Sequence, residues 1–168
     1  MKNIIYILFG FFIMLLELIF FNRVSLFGIS ANILIIYIAT LSLFTSLDRV
    51  LFVSLLLGLG KDFIFERIFG LNAMILIVLG ILFGRVKGSI YKDNWTIPLF
   101  LSSISSIIYM FIYSIFYKIY LGRAYSFLYS LKALGAFLFI EIVVSLVIYY
   151  PLRKIVQSVE DRWWNYEI

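Results

Sequence analysis

The sequence predicts an all-α integral membrane protein with six transmembrane helices, on three observations. Of its 168 residues 64% are hydrophobic and the mean hydropathy is +1.10, whereas a soluble domain is about half apolar. No soluble fold of this length hides that much apolar surface, so the expected solvent is lipid. Charged residues make up only 14% and fall in short clusters between apolar runs, of which there are six. That is the pattern of membrane spans joined by short loops.

The runs follow one another without a domain boundary, an internal repeat or a low-complexity tail, so residues 1–168 read as one transmembrane domain. The first, Ile4–Phe21, follows a basic start. It is too long for a signal-peptide core and lacks a small-residue cleavage site, so it reads as a retained span. Asn22, Gly28 and Ser30 then form a turn. The second run is Ala31–Phe44. "TSLDR" interrupts, with Asp48 as an N-cap candidate for the next helix. The third, Val50–Gly60, is short and must extend through "KDFIF" or stop below full depth, since a span needs roughly 20 residues. The fourth is Leu71–Phe83. The fifth is Trp95–Tyr117, with Pro98 in a first turn, where proline is tolerated. "KIYLGRAYSFLYSLK" is too short to span and rich in tyrosine, so it is expected in the outer interfacial layer. The sixth run is Ala133–Tyr150, ended or kinked by Pro151. The segment 151–168 is amphipathic, with Leu152, Ile155, Val156, Val159 and Trp163 on one helical face. It is expected as an interfacial helix, an extension of span six, or a docking surface for a cytoplasmic partner.

An even span count puts both ends on one side. Counting only Lys and Arg, an inside N-terminus leaves eight basic residues inside (Lys2, Arg49, Arg85, Lys87, Lys92, Arg153, Lys154 and Arg162) and six outside (Arg23, Lys61, Arg67, Lys118, Arg123 and Lys132). The bias favours cytoplasmic N- and C-termini. The net charge of +5 reflects this orientation signal rather than nucleic-acid binding.

The chain has no Cys and no His. Disulfide and thiol chemistry are excluded, and so are the commonest general base and metal ligand. No metal or cofactor site is expected. Two carboxylates lie inside spans, Glu17 late in the first and Glu141 near the middle of the sixth. A charge at mid-membrane costs about 2.5–3.5 kcal/mol on insertion scales, so each needs a partner. A bundle contact, a contact with a partner's transmembrane helix and a proton or ion relay are the three readings.

The stretch "GLGKDFIFERIFGLNA", Gly58–Ala73, concentrates Lys61, Asp62, Glu66 and Arg67. It fails the phosphate-loop pattern, because Asp62 follows the lysine and the glycine spacing is wrong. It also misses the G-x-G-D of intramembrane aspartyl proteases by one residue and has no second aspartate nearby to share a proton. The wet end of a helical hairpin fits, with Gly58 and Gly60 permitting close helix approach. Gly80 and Gly84 form a G-x-x-x-G, which lets helices pack backbone to backbone, inside the bundle or against another subunit. Threading the topology brings Glu17, Asn32, Asp62 and Asn72 to the outer ends of spans one to four. There they would form a satisfied polar network or the floor of an outward-facing pocket.

The order of Glu17, "LFGISANILII" and "GLGKDFIFERIFGLNAMILIVLGILFGR" resembles the MreD family of bacterial rod-shape membrane proteins. Gly28, Asn32, Gly58, Asp62, Gly70, Leu71 and Asn72 take the family's motif positions. Glu17 replaces the usual amide, Ala31 a frequent proline, and Lys61, Glu66 and Arg67 are extra charges. The match covers about residues 14–85. It implies a fold similar to the six-helix substrate-binding subunits of energy-coupling-factor transporters, and a non-enzymatic role in the cytoplasmic membrane. The implied partners are an MreC-like bitopic protein, with MreB, RodA and a penicillin-binding transpeptidase, in lateral-wall peptidoglycan synthesis. The rival reading is a transporter substrate-binding subunit. Such subunits usually carry an A-x-x-x-A surface in span one, and this span contains no alanine.

Overall fold

The computed structural model describes residues 2–20, 31–65, 68–88, 94, 96–122 and 127–164. These form six α-helices, α1 (Lys2–Phe20), α2 (Ile33–Phe44), α3 (Leu47–Phe65), α4 (Leu71–Val86), α5 (Thr96–Leu121) and α6 (Phe127–Trp164), and no strand among the described residues. Each apolar run becomes one helix, and the third extends through Lys61–Phe65.

The hub is α2. It packs against each of the other five helices, and Ile33–Leu43 are buried without exception. At 12 residues it is about 18 Å long, and α4, at 16 residues, is about 24 Å. The stretches Thr96–Tyr120 of α5 and Ser130–Asp161 of α6 are long and apolar enough to cross a membrane, while α2 and α4 are shorter apolar helices. The second run is therefore enclosed by the other five helices. The reason is its composition: "ILIIYIATLSLF" is apolar on every face, which suits a helix enclosed by others.

Asp48 lies inside the first turn of α3 rather than at its N-cap, and Ser46 O accepts the first helical bond, from Val50 N. The tyrosine-rich stretch divides between the end of α5 and the start of α6. The chain also runs helically through Pro151 to Trp164. Pro151 is exposed and Val147, whose carbonyl loses its donor, is 69% exposed, so the missing bond falls on the outer side of α6. In the continuation Leu152 and Val156 are buried and Val159 packs on the core, but Ile155 is 40% exposed.

Helix contact is closest between α3 and α4. A Cβ at Gly58 would come within 2.3 Å of the Ala73 Cα, a Cβ at Gly80 within 2.8 Å of Val50, and one at Gly84 within 2.9 Å of Leu47. The G-x-x-x-G face of α4 thus lies against α3. On the other side of α3, Gly10 of α1 meets the Leu57 side chain. Gly70 precedes α4 at φ 91, a left-handed conformation that favours glycine.

Gly58→Ala forces α3 from the α4 backbone and is expected to lower stability by about 1–3 kcal/mol. The control is Gly88→Ala, where an added Cβ meets nothing within 4 Å. Thermal unfolding of the two purified variants in one detergent measures the difference.

Candidate functional site

The helices bring six polar side chains to one layer, and the three carboxyl groups among them, on Glu17, Asp62 and Glu141, each accept from a backbone N–H at the start of α2 or α4. Asp62 is 1% exposed. Its Oδ1 accepts from Asn72 N and Asn72 Nδ2, both at 2.9 Å, and its Oδ2 accepts from Ala73 N at 3.1 Å. The first N–H groups of a helix have no partner within it. Gly70, at the N-cap position, has no side chain to supply one, so Asp62 caps α4 from the neighbouring helix.

The start of α2 is satisfied in the same way from two other helices. Glu141 of α6 accepts from Asn32 N, and Glu17 of α1 accepts from Leu34 N at 3.4 Å. Asn32 itself makes no side-chain cap bond. Glu17 also pairs with Lys61 of α3, both largely buried, with side chains 15% and 8% exposed. Carboxylates at helix N-termini are favoured by the aligned peptide dipoles. At the far end of α2 the complement holds: Lys87 Nζ donates to Thr45 O at 2.9 Å. Thr40, Ser42 and Thr45 turn their hydroxyls back to carbonyls four residues earlier.

A second polar knot closes the opposite end of the bundle. Glu160, in the amphipathic part of α6 that follows the sixth apolar run at Pro151, accepts from Lys2 Nζ (2.9 Å), Tyr6 Oη (2.8 Å) and Arg49 Nη1 (2.9 Å). It ties the starts of α1 and α3 to the end of α6. Burial works to raise its carboxyl, but the bonds from Lys2 and Tyr6 and the Arg49 charge outweigh burial and hold it below the ordinary carboxylate value.

Of the residues singled out by sequence, Glu17, Asn32, Asp62, Asn72 and Glu141 share the polar layer. Gly58, Gly80 and Gly84 lie in the α3–α4 seam, and Gly70 enters α4. Gly28, Glu66 and Arg67 lie outside the described residues. Lys61 and Asp62 are corrected: they are 6% and 1% exposed, not solvated at a hairpin tip, because Glu17 and the α4 N-terminus pair them internally. Sequence reasoning missed Lys61 as the partner of Glu17, Gly10 as a helix contact, and Lys2, Tyr6, Arg49 and Glu160 as a knot. The i, i+4 spacing of Lys2 and Tyr6 was the one available signal for the knot. Among the described residues no three His, Cys, Asp or Glu side chains converge to hold a metal ion. Compared with protein-family models, curated proteins and solved structures, the chain has no match in any of the three.

Two outcomes are expected. Asp62→Ala leaves three donors unsatisfied and should cost at least ~2 kcal/mol, and Asp62→Asn, which retains one acceptor oxygen, should cost less. Unfolding midpoints of the two variants test the order. For Glu160, the folded-state value lies below the unfolded one, so its contribution is complete above the ordinary carboxylate value and is lost as the pH falls through the lowered one. Melting temperature against pH should show this loss in the parent chain, and Glu160→Gln should lack that portion of the acid fall.

Proposed function

We propose that the chain is a six-span protein of the bacterial cytoplasmic membrane, both termini cytoplasmic, acting as a non-enzymatic MreD-like scaffold of cell elongation. It would bind an MreC-like bitopic partner and support lateral-wall peptidoglycan synthesis alongside MreB, RodA and a penicillin-binding transpeptidase. The observation that carries the membrane reading is the inverted distribution of residues. Ile4, Leu8, Phe12, Leu15 and Ile19 form one stripe along α1, each 51–64% exposed, while Lys61, Asp62, Asn72 and Glu141 are at most 6% exposed. Water would leave that stripe unburied and those polar groups unsolvated, whereas lipid accepts the stripe, and Lys61, Asp62 and Asn72 have partners inside the bundle.

The scaffold reading is supported by how the polar layer is used. Asp62, Glu17 and Lys61 are engaged in helix ends and an ion pair, so the groups that could carry chemistry hold the bundle together instead. The partner assignment rests on the motif resemblance.

Two experiments test the proposal. Because the chain has no cysteine, Lys118→Cys and Lys154→Cys introduce single labels at exposed positions of α5 and α6. An impermeant thiol reagent applied to intact cells should label the first and spare the second; labelling of both or of the second alone overturns the topology. Affinity purification from membranes should recover a bitopic protein with one span and a coiled coil. Recovery of an ABC ATPase with its coupling subunit would instead establish the transporter reading.

A further inference from the structure

The three carboxylates of the polar layer are not equally provided for. Asp62 accepts three hydrogen bonds, and Glu17 accepts one from Leu34 N and holds the Lys61 ammonium. Glu141, 1% exposed, accepts one bond, from Asn32 N, and its Oε2 has no partner. Asn32, 5% exposed, likewise leaves its side-chain Oδ1 unpartnered. Two acceptors without donors thus belong to two residues already joined by a hydrogen bond. Ser54, Ser105 and Ser106 also have buried hydroxyls without a partner, but each carries its own proton and can turn to a carbonyl of its own helix. A carboxylate cannot.

We propose that Glu141 and Asn32 form a proton-binding site, with one proton on Glu141 Oε2 donated to Asn32 Oδ1. A single added hydrogen satisfies both atoms, since the neutral acid is a donor at one oxygen and an acceptor at the other. Charge balance agrees. The charged groups that act on Glu141 are Glu17 from α1 and Lys61 from α3. Lys61 neutralises Glu17, and Asp62 is held by the α4 N-terminus. An ionised Glu141 would be a further buried negative charge with a single N–H to stabilise it, which is costly in a low-dielectric interior. The proton makes α6 a neutral cap for α2. The inference stands on the geometry of this layer and does not depend on the scaffold reading.

The test is infrared spectroscopy of the full chain in lipid bilayers at neutral pH. A protonated-carboxyl C=O band is expected above the amide envelope. It should move down on deuteration and on incorporation of carbon-13 glutamate, shift in Asn32→Leu, and vanish in Glu141→Gln. Glutamine places an N–H where the neutral acid has its O–H, so Glu141→Gln should also melt close to the parent chain, while Glu141→Ala melts lower. Absence of the band in the parent chain overturns the proposal: Glu141 is then ionised and the Asn32 amide is turned to donate to it. A band that appears only when sodium is replaced by choline overturns it in favour of a bound cation. A large loss of melting temperature in Glu141→Gln also overturns it.

Discussion

The structure depends on one constraint: α2 begins inside the protein. A 12-residue helix buried on every side cannot send the N–H groups of its first turn to water, and an unpaired buried N–H costs on the order of 1–3 kcal/mol. Glu141 and Glu17 meet that need from two different helices. Each must therefore keep its height along the bundle, which fixes the register of α1 and α6 against α2. Lys61 ties α3 into the same layer through Glu17, and Asp62 extends the arrangement to the start of α4. The acidic residues Glu17, Asp62 and Glu141 are thus placed where helix ends would otherwise be unsatisfied.

Buried ion pairs are weak sources of net stability, because desolvation offsets their attraction, but breaking one is expensive. The Glu17–Lys61 pair is accordingly better understood as specifying which helices meet and at what height. The apolar contacts supply most of the cohesion, and glycines set their closeness. Gly58 lets α4 approach α3 to backbone contact, and Gly10 admits the Leu57 side chain between α1 and α3. At the opposite end Glu160 gathers Lys2, Tyr6 and Arg49. The bundle is pinned by polar contacts at two levels, with mainly apolar packing between them, broken only by small hydroxyl side chains such as Thr40, Ser54 and Ser105 among the described residues.

The helical class and the six elements were legible because apolar run length and loop chemistry are local properties. The extension of the third helix through Lys61 was one of the two outcomes its short apolar run allowed, and the proximity of Glu17, Asn32, Asp62 and Asn72 followed from threading the topology. What stayed hidden depends on distant partners. Nothing around Lys61 says that Glu17, 44 residues away, will bury it. Nothing around Glu141 says that the amide of Asn32 will be its donor. Pro151 is a local stop signal overridden because the lost hydrogen bond faces outward on a helix otherwise continuous to Trp164. That α2 is enclosed by the other helices is implicit in its all-round apolar composition, but periodicity alone cannot distinguish enclosure by protein from enclosure by lipid.

The central claim is that the carboxyl groups of Glu141 in α6 and Glu17 in α1 hold the start of α2. Amide hydrogen exchange of the parent chain and of Glu17→Ala and Glu141→Ala, followed by residue in one detergent, tests it most directly. The amides these groups bond, Asn32 and Leu34, should be protected in the parent, and Asn32 should exchange faster in Glu141→Ala and Leu34 in Glu17→Ala. Asn72 and Ala73, capped by Asp62, should keep their protection. Unchanged protection at the start of α2 in both variants, or a uniform loss throughout the bundle, would contradict the account.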